Sequence, residues 1–168
     1  TGNLLVQKSC AILPEDNAGT LHDKLMHLGT DAIIETLEQV LNSELKEIPQ
    51  HESEQDKNAP KLHPANTVLR WDGTGLEAVN LVRGLCPYPL AHSIFDQKKI
   101  KVYKASFYPE HHTNDVGSFV TDGKSYLGVW VTDGMVHLDE IKIEGKRQMK
   151  IKDFLNGYDI SHLKIKHS

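Results

Sequence analysis

The sequence predicts an α+β chain that is mainly β, with a small closed or partly open barrel following a short α/β segment. Three observations carry this expectation. From residue 92 onward, short runs rich in Val, Ile, Tyr, Phe and Trp recur with turn residues between them, the pattern of hairpin-linked strands. Ahead of them lies one long stretch with apolar residues at helical spacing. Between the two lies an acidic, aromatic-free segment with almost nothing to bury, which marks a linker.

Composition sets the outer bounds. The chain has 168 residues, 39% of them hydrophobic and 25% charged, ordinary values for one folded domain or for a small domain with a piece of another. No apolar run approaches the roughly 18 to 20 residues that span a bilayer. The first ten residues lack the basic and apolar regions of a signal peptide, so a cytoplasmic protein without membrane association is expected. Cys10 and Cys86 have no framework spacing and are expected as reduced, partly buried thiols.

Taken in order, residues 4–13 (LLVQKSCAIL) predict a strand that Pro14 ends. Thr20 with Asp23 offers an N-terminal cap, and Leu21, Leu25, Leu28, Ala32, Leu37, Val40 and Leu41 predict a helix over 20–43. A strand and one helix cannot cover both of their own faces, so residues 1–43 are expected to be the tail of a larger domain. Residues 44–60 form the linker, and residues 61–168 the barrel domain.

The barrel domain opens on 61–89, KLHPANTVLRWDGTGLEAVNLVRGLCPYP. Thr74 and Glu77 fit a capping box, residues 76–85 a helix, and Pro87 and Pro89 a helix stop. Strands are expected over 92–95, 98–108, 116–121, 126–132 and 135–143. The Asp122-Gly123 and Asp133-Gly134 dipeptides should supply the positive φ that tight hairpin turns require. Residues 149–156 predict a short helix with Gly157 as its C-terminal stop.

Charge is unevenly placed. Residues 1–97 hold 7 Lys and Arg against 14 Asp and Glu, whereas residues 98–168 hold 12 against 9. A basic second half is suited to a polyanion, or is a solvated lysine-rich surface. Lys98, Lys99, Lys101 and Lys104 make one cluster, and Lys142, Lys146, Arg147, Lys150 and Lys152 another. Lys99 and Lys101 alternate onto one strand face, with Lys146, Arg147 and Lys150 expected beside them, a spacing that serves phosphate contacts. Lys61 and Arg83 complete the candidate set. Arg83 falls off the apolar stripe of its helix, which leaves open an ion pair with the acidic linker or a phosphate contact. Tyr103, Phe107, Tyr126 and Trp130 are interleaved with the cations and are expected to serve packing, with base stacking the alternative.

Other chemistry is weakly signalled. The ten histidines show no metal-ligand spacing: His22 and His27 fall on different helix faces, and His111-His112 has no neighbouring Cys or carboxylate. No serine sits in a nucleophile elbow. Gly73-Thr74-Gly75 is a turn without the third glycine of a phosphate-binding loop. No catalytic residue and no metal ligand is therefore assigned.

Several stretches together resemble the bacterial methionyl-tRNA formyltransferase family. Thr1-Gly2-Asn3-Leu4-Leu5 is similar to the end of its formyltransferase signature, Asp-x-Gly-x-x-aliphatic, cut after the Asp. The segment from Gly19 to Leu25, GTLHDKL, resembles the opening of the last long helix of the catalytic domain. Ala59-Pro60-Lys61-Leu62 followed by Arg70-Trp71-Asp72 resembles the start of the second domain. Arg83-Gly84-Leu85-Cys86-Pro87-Tyr88-Pro89 is similar to Arg-Gly-Leu-Asn-Pro-Trp-Pro, with Cys86 in place of Asn and Tyr88 in place of Trp. Gly145-Lys146-Arg147-Gln148-Met149 and Phe154-Leu155-Asn156-Gly157 resemble the closing elements.

The resemblance implies the tail of a Rossmann-like formyltransferase domain followed by an OB-like barrel, the oligonucleotide-binding type. It implies formyl transfer from 10-formyltetrahydrofolate to the amino group of methionyl initiator tRNA during translation initiation. The family's catalytic Asn, His and Asp would lie ahead of Thr1, so the chain alone is expected to be inactive and to bind no cofactor. Its expected partners are initiator tRNA and the missing catalytic domain, and it is expected to be monomeric. A sugar-nucleotide formyltransferase barrel and a non-catalytic protein-interaction barrel are the alternatives.

Overall fold

The computed structural model describes residues 2–50, 58–158 and 166–167. The chain divides into two compact units, Thr1–Lys61 and Leu62–Ser168.

The first unit is built on helix α1, Ala18–Leu41. Its cap is Asn17, and Thr20 is the third helical residue. The Thr20 amide donates to Asn17 Oδ1 and the Asn17 amide to Thr20 Oγ1, each at 3.0 Å. The cap thus falls three residues before the expected one, because Asn17 reaches the free amides of the first turn. Asp16 fixes the approach. Its buried carboxylate accepts from Lys24 Nζ at 2.6 Å and from the Leu13 amide at 2.7 Å. Those bonds, the lysine's first, hold it below the ordinary carboxylate range.

Residues 4–13 do not form the expected strand. Among the described residues they carry one bridge, Leu4 to Ile48, and an extended segment needs a longer ladder partner to become a strand. Cys10 is accordingly exposed, whereas Cys86 is buried; both thiols are free. Leu25, Ile33, Leu37, Val40 and Leu41 are exposed on α1. Helical spacing predicts the helix without saying what covers its face. The expected linker falls partly on 51–57, outside the described residues.

The second unit begins with a 3-10 turn at Pro64–Thr67 and helix α2, Gly75–Leu85. The capping box forms as expected, with Thr74 Oγ1 accepting from the Glu77 amide and Glu77 Oε2 from the Thr74 amide. After α2 the chain turns through residues 86–89, where the Cys86-Pro87 and Tyr88-Pro89 peptides are both cis. Strands β1 (Ala91–Phe95), β2 (Lys98–Pro109), β3 (Phe119–Thr121), β4 (Leu127–Val131), β5 (Gly134–Ile143) and β6 (Met149–Lys150) follow. Helix α3, Ile151–Gly157, and strand β7, Lys166–His167, complete the unit.

The sheet runs β1-β2-β5-β4-β3-β7, with β6 paired to β5. All pairs are antiparallel except β3 with β7. Each expected strand over 92–143 has a counterpart, but the turns differ in chemistry. Asp96 and Gln97, at φ 49° and 58°, are the two central residues between paired Phe95 and Lys98, so this hairpin has the doubly positive turn. The β4–β5 turn is Thr132-Asp133, because Gly134 already pairs with Val131. At Gly134 a Cβ would lie 2.2 Å from the Tyr108 carbonyl oxygen. The β3–β4 loop spans 122–126, and Asp122 Oδ1 accepts from the Lys124 and Ser125 amides at 2.9 and 2.7 Å.

The core lies on one face of this sheet. Ile100, Val102, Leu127, Val131, Val136, Leu138, Ile141 and Ile143 are buried there. Ala78, Val82 and Leu85 of α2 and Ile151, Phe154 and Leu155 of α3 complete it. A bulge in the β2–β5 register around Lys104 shifts the inward positions from Val102 to Ala105 and Phe107. Met149, expected in the last helix, instead pairs with Ile141, which delays the helix to Ile151. Gly157 closes α3 from within, and its neighbour Tyr158 caps with φ −121° rather than a positive value.

Candidate nucleic-acid interface

Strand alternation decides where the cations go. Ala91 and Ser93, Ile100 and Val102, and Ile141 and Ile143 are buried, so His92, Lys99, Lys101 and Lys142 take the opposite face of β1, β2 and β5. Register then aligns them. His92 stands opposite Lys101, and Lys101 opposite Lys142, a lateral row of three basic side chains across three strands. Lys99, Lys101 and Lys142 line one shallow depression with Ile143 and Glu144. The Glu144 amide donates to the Lys99 carbonyl at 2.9 Å, which extends the β5 end along β2.

His92 reports how closely these charges converge. Its Nδ1 lies 3.1 Å from Thr67 Oγ1. Burial pushes its imidazole below the ordinary value, and Lys99 and Lys101 push it further the same way. The row is thus a concentrated positive field that, after burial, disfavours the charged form of His92.

A second row lies beyond the bulge. Lys104 pairs with Glu140, and Glu140 with Lys150, while Gln148 Nε2 donates to Glu140 Oε1 at 2.9 Å. The carboxylate between the two lysines makes this row weaker for an anion than the first. Lys146 and Arg147 are exposed in the turn after β5, where the Lys146 amide donates to the Ile143 carbonyl.

The remaining candidates lie elsewhere. Lys98 has the inward parity of Ile100, and its ammonium sits 5.3 Å over the Tyr158 ring and 3.4 Å from its hydroxyl. That hydroxyl donates to Asp96 at 2.5 Å. Arg83, on α2, donates to Asn80 Oδ1 at 3.1 Å; the linker pairing considered for it involves residues partly outside those described. Lys61 ends the first unit.

Three of the four interleaved aromatics are engaged within the protein, and Tyr103 is half-buried on β2. Phe107 packs against the core, Trp130 is buried with its ring 4.5 Å from that of His112, and Tyr126 stacks on His137 at 4.8 Å. Sequence reading singled out neither His92 nor Lys142. Lys142 was visible in the second lysine cluster, but only the β2–β5 register brings it beside Lys101.

Comparison with known proteins places this geometry in context. The model of the formyl transferase C-terminal domain matches residues 61–159. Methionyl-tRNA formyltransferase of Flavobacterium johnsoniae is 34% identical over 165 residues, covering 96% of this chain and 52% of its own length. That of Parabacteroides distasonis is 36% identical over 167 residues, covering 94% and 52%. The chain spans about half the length of the curated relatives it matches. Among solved structures, a HypX variant from Aquifex aeolicus has a TM-score of 0.62 at 15% identity, over 94% of this chain and 29% of that one. This last likeness is one of fold.

Proposed function

The chain belongs to the formyl transferase C-terminal domain family, and from that premise we propose that it is the RNA-holding part of a methionyl-tRNA formyltransferase. In this reading the whole enzyme is cytoplasmic and transfers a formyl group from 10-formyltetrahydrofolate to the amino group of methionyl initiator tRNA. Residues 1–43 are then the end of the Rossmann-like catalytic domain, 44–60 the linker, and 61–168 an OB-like barrel. The catalytic Asn, His and Asp and the folate belong to the half that precedes this chain.

The observation that carries the reading is the row His92, Lys101 and Lys142, with Lys99 beside it, on the outward face of the sheet. Tethered cations at fixed spacing neutralise successive phosphates and hold a folded RNA in register without reading its sequence. Lys150, Lys146 and Arg147 extend the footprint past the bulge; Lys61, Arg83 and Lys98 are peripheral contacts in this account. Held in this way, the acceptor end is presented to the catalytic half, and chemistry gains from positioning.

The test is formyl transfer by the full-length enzyme carrying Lys99→Glu, Lys101→Glu and Lys142→Glu together. The KM for methionyl-tRNA should rise at least tenfold while the KM for the formyl donor stays unchanged. An unchanged KM for tRNA would remove this face from the mechanism.

A further inference from the structure

One recess borders the basic row without being explained by it. It lies where the 62–67 segment, the 86–89 turn and the outward faces of β1 and β2 meet, and it is lined by His63, Thr67, Tyr88, His92, Lys99 and Lys101 among others. Its floor is closed by Thr67 and Leu90, each 5% exposed. Two lysines and an imidazole therefore share a concave site, and Thr67 engages Nδ1 of that imidazole.

Tyr88 is the informative residue. It is 85% exposed and stands between Pro87 and Pro89 in the turn that follows α2. An exposed aromatic ring on the rim of a cationic recess combines the two elements that single-stranded nucleic acid requires, a stacking surface and a backbone charge partner. Phe107, Tyr126 and Trp130 are engaged in packing, whereas Tyr88 is an exposed ring on the lining of this recess.

We propose that this recess seats one unpaired nucleotide of the bound RNA, with its phosphate on Lys99, Lys101 and His92 and its base stacked on Tyr88. The assignment deepens the tRNA reading and depends on it for the source of the nucleotide. A recess with the cations alone would take any phosphate. Tyr88 makes it selective for a phosphate that carries a base.

The test uses the whole chain with three probes: a 5′-phosphorylated trinucleotide, the same backbone with abasic sugars, and initiator tRNA. Tyr88→Ala should weaken the trinucleotide about tenfold, within the range of a single stacked base, and leave the abasic probe unchanged. Tyr88→Phe should retain native affinity. Equal affinity of the native chain for the trinucleotide and its abasic form would overturn the proposal, as would an unaltered trinucleotide affinity in Tyr88→Ala. The tRNA arm separates this from the broader reading. If the native chain binds tRNA but not the trinucleotide, the recess falls and the basic face stands. If it binds the trinucleotide but not tRNA, the recess stands and the RNA-holding role falls. Because Tyr88 is exposed, its replacement should leave the tryptophan-monitored melting curve in place, which confirms that the variants are folded.

Discussion

Gly75→Ala should destabilise the second unit even though alanine is the better helix former. At the first position of α2, a Cβ on Gly75 would lie 1.9 Å from Phe107 Cδ2 and 2.2 Å from Cε2. Ordinary carbon contact is about 3.5 to 4 Å, so the ring must retreat by roughly 1.5 to 2 Å. Phe107 is not free to do so, because it belongs to β2, opposite Val136, and packs against the core. Helix propensity favours alanine by up to about 1 kcal/mol, whereas overpacking of this kind costs about 1 to 3 kcal/mol. The clash wins, leaving a net loss of about 1 to 2 kcal/mol. For a unit of this size that is about 5 to 10 °C in melting temperature. The chain's two tryptophans, Trp71 and Trp130, both lie in the second unit, so fluorescence melting reads that unit directly. Adding Phe107→Leu should recover part of the loss, giving a cycle that is less than additive. A Gly75→Ala chain that melts at or above the native temperature would refute the packing argument.

Three further outcomes follow from the same structure. Thr74→Ala removes the α2 cap and should cost about 1 kcal/mol in urea unfolding, with a cost near zero counting against the box. Asp122 is held far below the usual carboxylate range, first by the Ser125 hydroxyl and then by the amides of Ser125, Lys124 and Tyr126. Its contribution to stability is present above the ordinary carboxylate pKa of 3.8 and is lost as pH falls through the lower folded value. Asp122→Ala should therefore lower stability by about 1 kcal/mol at neutral pH and flatten the acid limb of the stability curve; an acid limb as steep as the native one would contradict this. His92 faces Lys99 and Lys101 of β2, with His63 and Tyr88 also lining its recess. Its folded pKa is depressed, so that contribution to stability is complete above the ordinary value of 6.5 and declines as pH falls below it. Bound phosphate reverses the field of the lysines and restores the proton, so tRNA affinity should rise as pH drops from 7.5 to 6. His92→Gln should lose that part of the slope, and an unaltered slope would exclude His92 from the contact.

What was legible in the sequence was local. The Thr74–Glu77 box, the α2 helix and the strand runs over 92–143 depend on neighbours a few residues apart, and they appear where expected. The departures involve partners distant in sequence. Residues 4–13 have the composition of a strand, but among the described residues their one bridge is Leu4 to Ile48. Met149 has helical spacing but is drawn onto β5 by Ile141. The two Asp-Gly dipeptides mark real hairpins, yet register places Gly134 inside β5 and leaves the doubly positive turn to Asp96 and Gln97. The candidate site divides in the same way. Lys99 and Lys101 share a face by strand periodicity alone, and the same parity sends Lys98 to the other side, onto Tyr158. Lys142 and His92 join them only through cross-strand register, which no local pattern encodes.

Our proposal is that this chain holds tRNA through the outward lysines of β2 and β5. It is tested most directly by fluorescence anisotropy of labelled initiator tRNA titrated with the chain at several salt concentrations, comparing the native protein with Lys99→Glu/Lys101→Glu/Lys142→Glu and with Lys124→Glu as an off-site control. The account predicts linear loss of log affinity with log salt for the native chain. It also predicts a slope shallower by about 2 to 3 for the triple variant, near 0.7 to 0.9 for each phosphate contact removed. The Lys124→Glu chain should be close to native. Native binding with the same slope in the triple variant, or an equal loss in the control, would contradict the account.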